Sequence, residues 1–499
     1  MPSNQLSGPE WAPVGGRIDP AVWRIATVVI LGSMMSILDT TIVNVALESL
    51  SRDLHTPLNN VQWVVTAYLL SLAAVIPVSA WAARRIGPKR LYLLSIVLFT
   101  LGSVLCGVAN SVAELIAFRV VQGVGGGMIM PVGQMIIIRA AGARNLARVM
   151  GAIGVPVVMG PVLGPTIGGL LLDNVGWRWI FFVNVPIGIV AVIAGLRKLP
   201  FDTPEDAGKF DLTGLALLAT GLVGLTYGLA EIGSTTSSDT THVVLPLAVG
   251  VVLVTAFVLR ARRIERPLLD VRLYANKAFG AASVTMFCFG AALFGGMILM
   301  PLYFQTVRHE DALYTGLLLA PRGIGAAVGS WVSGRATDRL GSGIAAAIGG
   351  GITLVSTLPF VAIGGRTSYV FITVIMLVSG FGLGLATTPA MTAAFRALRP
   401  DQINDATPQL NILMRVGGSI GVAILTVELQ HHLIRAGHSI SGQASAYGYT
   451  FWWVVGAIAV AVLPTAVLIY VDRQAARRRP DSEQHDGTRP ATANMVEMG

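Results

Sequence analysis

The stretch MMSILDTTIVNVAL, residues 34–47, carries a single charged group, Asp39. A carboxylate in apolar surroundings must be paired, wetted or neutralised. RVVQG, residues 119–123, sets Arg119 in a similar environment, with Gln122 one turn further along. A carboxylate can load and release a proton, whereas a guanidinium keeps its own. In such a pair Asp39 would carry the proton and Arg119 would modulate it. The plainer alternative is an ion pair that only holds two helices together. GPVLGPTIGG (160–169) repeats Gly160, Gly164 and Gly168 at four-residue intervals, followed by Gly169. That spacing gives a helix a face without side chains and lets a neighbour approach closely. Pro161 and Pro165 each remove a hydrogen bond and favour a bend. On the residues alone, ordinary small-residue packing against a neighbouring helix accounts for this pattern. Asn44, Tyr68, Gln122, Gln134, Tyr303, Arg322, Asn411 and Arg415 are candidates for lining a small-molecule cavity, or for packing helices.

The elements that position these groups follow from the spacing of charge. Of the 499 residues, 54% are hydrophobic and only 12% charged. No Asp, Glu, Lys or Arg occurs between Asp53 and Arg84, Arg90 and Glu114, Arg148 and Asp173, Lys277 and Arg308, or Arg366 and Arg396. Each gap exceeds the roughly 20 apolar residues of a membrane-spanning helix, so the chain reads as an all-α polytopic membrane protein. The gaps predict spans at 23–46, 61–82, 91–110, 112–138, 149–172, 179–197, 212–231, 243–260, 279–303, 313–333, 343–363, 369–390, 409–429 and 449–471. These make fourteen spans, so both termini share one side. Only Arg52, Arg178, Arg308, Arg366 and Arg435 fall in outer loops, and Arg119, Arg322 and Arg415 within helices; the rest of the 35 Lys and Arg lie on tails and inner loops. This is the positive-inside pattern, with the termini cytoplasmic, and it accounts for the net charge of +9 without a nucleic acid partner. Asp39 and Arg119 then both lie roughly 10 Å below the outer edge of the apolar slab. Cys106 and Cys288 fall within spans, which implies neither a disulfide framework nor a metal site.

Two loops resemble each other: RRIGPKR (84–90) and GRATDRLG (334–341). Gly87 and Gly341 are separated by nearly the same interval as the starts of the first and ninth spans, which points to a duplicated six-helix block. The expected organisation is a cytoplasmic tail 1–22, a six-helix bundle 23–200, two inserted helices 201–265 peripheral to the bundles, a second six-helix bundle 266–472, and a disordered cytoplasmic tail 473–499.

These residues resemble the major facilitator superfamily, and within it the fourteen-helix drug:proton antiporters. LDTTIVNVAL (38–47) is similar to the family's first-helix signature and GRATDRLG to its loop pattern. RVVQG is similar to the fourth-helix arginine motif and GPVLGPTIGG to the antiporter motif of the fifth helix. The resemblance spans essentially the whole chain. It implies two bundles rocking around a central cavity, a pliable seam between them at Gly160, Gly164, Pro165, Gly168 and Gly169, Asp39 and Arg119 as proton-coupling residues, and an inner gate at Gly87, Arg85, Gly334, Asp338, Arg339 and Gly341. One departure stands out. The family often has Asp where this chain has Arg84, and Gly where it has Ala80, so the gate is expected in the second half, at Asp338 and Arg339.

The reading that follows is a multi-pass exporter of the cytoplasmic (inner) membrane, not an enzyme. It exchanges protons for amphipathic drugs or toxic metabolites in the lipid bilayer and needs no cofactor beyond a proton gradient. A G-x-x-x-x-G-K-[ST] motif is absent, which disfavours an ATP-driven pump. Export of an endogenous lipid or metabolite, or a sensor on a transporter fold, are the alternatives, and a periplasmic adaptor is left open. With Asp39 as the only deep acid available to cargo, neutral or monocationic lipophilic substrates are expected.

Overall fold

A computed structural model describes residues 19–200, 204, 206–232, 241–437 and 439–477. The N-terminal helices are α1 (Pro20–Asp53), α2 (Leu58–Val75), α3 (Val78–Ile86), α4 (Pro88–Val108), α5 (Val112–Asn174), α6 (Trp179–Phe182) and α7 (Asn184–Lys198). Two further helices follow, α8 (Leu212–Ile232) and α9 (Thr241–Ala261). The C-terminal helices are α10 (Lys277–Leu302), α11 (Ala312–Leu340), α12 (Ser342–Thr357), α13 (Tyr369–Arg396), α14 (Ile403–Ala436), α15 (Ile440–Val462) and α16 (Thr465–Arg477). The first eighteen residues, and most of the C-terminal tail expected to be disordered, lie outside the described residues.

Helix boundaries follow local chemistry. Asp19 caps α1 by accepting from the Ala21 N–H at 2.7 Å, with Pro20 at the first helical position. Pro77 lacks an N–H and marks the 58° bend between α2 and α3. The loops that resemble each other in sequence also share a backbone: Gly87 has φ 88° and ψ 142°, Gly341 φ 87° and ψ 159°. Only glycine enters this region without strain, so the same sharp reversal is built twice. Gly142, at φ 61°, breaks α5 between the expected fourth and fifth spans.

Among the described residues, eleven helices are long and apolar enough to cross a membrane, twelve if the bent α2–α3 pair counts as one. The fourteen expected spans exceed that by two. The span expected at 313–333 lies in α11, whose apolarity is lowered by Arg322 and its glycines. The span expected at 149–172 lies in the second segment of α5, where the side chains of 152–163 and Pro165 are outside the described residues.

The N-terminal and C-terminal helices meet where α5 packs on α11 and where α14 approaches α3 and α5. Glycines set the approach: a Cβ added at Gly151 would overlap the Ser330 carbonyl, and one at Gly334 would lie 2.7 Å from Arg148 Cα. One helix of the inserted pair packs on both halves. Although α9 turns Val251 and Val252 outward, α8 packs against both α2 and α14. Leu218 and Leu222 join Ala80, with Ile412 and Val416 against them, and Tyr227 stacks on Trp63 at 5.9 Å. The start of α8 is tied to the end of α9 by Asp211, which accepts from Arg260 Nη1 at 2.7 and 2.8 Å.

Candidate functional site

Asp39 on α1 and Arg119 on α5 are fully enclosed, each with 0% of its side chain exposed, and Arg119 Nη1 donates to Asp39 Oδ2 at 2.6 Å. The other carboxylate oxygen, Oδ1, accepts from Gln122 Nε2 at 2.8 Å and from Asn184 Nδ2, at the start of α7, at 3.1 Å. Both amides also donate to Ser103 Oγ on α4, at 2.8 and 3.0 Å. Arg119 is held further by Gln122 Oε1 (2.7 Å), the Val64 carbonyl of α2 (3.1 Å), and the Tyr68 ring, 3.9 Å beneath the guanidinium. Three N–H donors and no acceptor face the carboxylate, an arrangement suited to a charged, deprotonated acid. Two atoms of the cluster, Arg119 Nη2 and Asn184 Oδ1, are buried without a hydrogen-bond partner.

The depth reading of the sequence therefore brings Asp39, Arg119, Gln122 and Tyr68 into one cluster, while Ser103 and Asn184 escaped it. A serine inside a span and an asparagine at a helix start carry no periodic signal that sets them apart.

The glycine motif lies somewhere other than expected. A Cβ on Gly164 would overlap Thr41 Oγ1 and lie 2.5 Å from Thr41 Cβ, and Gly168 faces Ile42 at 3.3 Å. This face meets α1 of the N-terminal helices, two residues from Asp39, and not the C-terminal helices. Gly169 has open space around it. Gly160 and Pro165 belong to helical backbone, but their side-chain surroundings lie outside the described residues. Substituting Gly164 by Ala is expected to push α5 off α1, with an overpacking penalty of about 1–3 kcal/mol and a transport loss of about tenfold or more. Thr41→Gly in the same chain should recover part of the activity. A Gly164→Ala protein with wild-type transport and thermal stability would mean that the two helices separate freely here.

At the end of the molecule where α3 and α11 finish and α14 begins, two ion pairs link the N-terminal to the C-terminal helices. Arg148 Nε donates to Asp338 Oδ2 at 2.7 Å, and Arg396 lies 3.8 Å from the same acid. Arg84 Nη1 donates to Asp405 Oδ2 at 2.9 Å, beside a contact from Arg139 Nη2 to Asn404 Oδ1 at 3.1 Å. The ion pairs between the halves are not confined to Asp338, where the gate was expected: Arg84 stands where the resembling family has an acid, and the acid here is supplied by α14. Arg85 and Arg339 are exposed and form no ion pair among the described residues, because the partners of Asp338 come from α5 and α13 instead.

The remaining cavity candidates divide. Asn411 on α14 donates to Gln134 Oε1 on α5 at 2.8 Å, across the boundary. Tyr303 is not brought to this region; its hydroxyl donates to the Gly364 carbonyl at 2.7 Å and its ring packs on Tyr447. Asn44 is exposed and donates to the Thr40 carbonyl of its own helix at 3.2 Å. Arg322 and Arg415 are partly buried and form no hydrogen bond or ion pair through their side chains among the described residues.

A family profile described as Major Facilitator Superfamily matches residues 29–422. The multidrug resistance protein B homolog of Mycobacterium tuberculosis is 38% identical over 420 residues, covering 83% of this chain and 77% of that protein. The putative multidrug resistance protein MdtD of Escherichia coli is 31% identical over 409 residues, 81% of this chain and 86% of its own. Among solved structures, the proton:xylose symporter XylE superposes with a TM-score of 0.62 at 14% identity, covering 90% of this chain and 95% of that one. The human organic anion transporter MFSD10 gives 0.61 at 15% identity, with 90% and 100% covered. At such identities the two structures share the fold alone.

Proposed function

The chain belongs to the major facilitator superfamily, a family of membrane transporters and not of enzymes, and within it we propose a proton-coupled exporter of lipophilic drugs or toxic metabolites that works by alternating access. The reading includes two duplicated six-helix bundles flanking the inserted α8–α9 pair, fourteen spans in all, a place in the cytoplasmic membrane, and cytoplasmic termini. The names of the relatives support drug export. The observation that carries the coupling is the enclosed Asp39–Arg119 pair, because its acid is the one deep group among the described residues that can gain and lose a proton within a helix-to-helix network.

A proton arriving on Asp39 turns an acceptor into a donor facing other donors, so at least one bond to Arg119, Gln122 or Asn184 must break. Arg119 then loses its counter-charge but keeps Gln122 Oε1, the Val64 carbonyl and the Tyr68 ring. The helices α1, α5 and α7 that contribute these groups repack in consequence. The second segment of α5 extends the effect: it presses on α1 at Gly164 and carries Arg148, the partner of Asp338, at its other end. Protonation near the outer side thus bears on the latch at the inner side through one helix.

Inverted membrane vesicles test the reading. Wild-type vesicles holding a preformed pH gradient are expected to lose it when a transported drug is added. Drug accumulation with an undisturbed gradient would show transport without proton exchange and overturn the antiport reading.

A further inference from the structure

Arg322 and Arg415 are guanidiniums well inside long helices, roughly three turns from the nearer end of α11 and α14 respectively. Neither side chain has a hydrogen-bonding or ionic partner among the described residues. The lipid does not take them either. On α11 the outward face is marked by Leu317, Val328 and Trp331, and Arg322 stands nine residues before Trp331, about 180° around the helix. On α14 the outward face is marked by Ile424, Val427 and Ile434, and Arg415 stands nine residues before Ile424, again about 180° away. Arg322 directs its guanidinium to Gly296 of α10, where an added Cβ would lie 2.9 Å from Nη1. Arg415 sits one turn from Asn411, which bonds across to Gln134, and is within electrostatic range of Tyr68. Both charges therefore face the interior.

Two unpaired cations in a poorly solvated interior are costly unless an anion meets them. The described residues supply none: the deep acid, Asp39, is wholly enclosed and both its oxygens are engaged. A planar guanidinium offers a two-pronged donor matched to a carboxylate. We propose that the cargo is an amphipathic organic anion whose acidic group is drawn inward by the two unpartnered guanidiniums, Arg322 and Arg415, each of which offers it a charge-assisted bond. This rests on the transport reading above and deepens it. The expectation of neutral or monocationic cargo depended on Asp39 meeting the substrate; Asp39 is enclosed, and the charges that face inward have the opposite sign.

The test uses the full-length protein in lipid nanodiscs and three probes with one apolar body: a long-chain alkylbenzoate, its methyl ester, and the matched alkylphenyl-trimethylammonium ion. Equilibrium binding followed by tryptophan fluorescence should favour the benzoate over both others by about tenfold or more, as a charge-assisted bond allows. Arg322→Gln and Arg415→Gln should each weaken benzoate binding about tenfold while leaving the ester within about twofold, and Arg→Lys at either site should keep part of the affinity. Retained ester binding also certifies that a variant is folded. The proposal is overturned if the wild-type protein binds the quaternary ion as tightly as the benzoate, or if the Gln variants lose ester and benzoate equally. If the benzoate binds selectively but its addition to inverted vesicles leaves the pH gradient intact, the anion site stands and the proton-antiport reading fails.

Discussion

Asp39→Asn is expected to insert and fold, yet to abolish efflux driven by a pH gradient. The amide keeps the size of the carboxylate, and Arg119 keeps Gln122 Oε1, the Val64 carbonyl and the Tyr68 ring. What disappears is the group that can gain and lose a proton. Transport in inverted vesicles should fall to background at equal protein level, while binding of a neutral probe remains. Arg119→Ala should be the more damaging change for stability, because it strands a carboxylate at 0% exposure; removing one partner of a buried pair costs about 3–5 kcal/mol. Adding Asp39→Asn to Arg119→Ala should restore part of the melting temperature. Full gradient-driven efflux by Asp39→Asn would remove the coupling role from this residue, and additive losses in the double variant would mean that the pair contributes nothing as a pair.

The second large effect is expected where Arg84 meets Asp405. Arg84→Asp sets a carboxylate opposite Asp405, where 2.9 Å now separates opposite charges whose side chains are 17% and 15% exposed. Near a protein surface, two unit charges at 4 Å interact with about 4 kcal/mol, so reversing one turns a clasp into a repulsion of similar size. The form in which this end is closed should be depleted and transport should drop by about tenfold or more. The exchanged pair Arg84→Asp with Asp405→Arg restores the attraction with opposite polarity and should recover most of the activity. Cysteine accessibility from the face that carries this pair would report the same order: high in the single variant, near wild type in the exchange. If the exchange is no better than Arg84→Asp alone, the two side chains do not hold the halves together.

Much of this site was legible because membrane helices make depth countable. The gaps between charges fixed the helices, and counting residues from their ends put Asp39 and Arg119 on one level before any contact was known. Partners across helices were far less legible. The four-residue glycine spacing of Gly164 and Gly168 announces a close neighbour but not which one, and the neighbour is α1, not the opposite half. Arg84 read as a lost gate residue, because its partner Asp405 lies hundreds of residues away and nothing in RRIGPKR points to it. Tyr303 reads as a polar aromatic group within the membrane, yet its hydroxyl serves the Gly364 carbonyl. The position of α8 was hidden for another reason: a helix apolar all round reads the same whether it faces lipid or protein.

The placement of α8 makes the two flanks of the molecule unequal. Where α2 and α14 approach, α8 lies over both, with Leu218 and Leu222 packed inward. Where α5 meets α11, the contact is direct, with Gly151 against Ser330. The boundary between the halves is therefore roofed by a third helix on one flank and sealed by direct helix contact on the other. If the halves reorient in the proposed cycle, α8 has to slide on α2 or α14, and the two edges of the boundary then open with different friction.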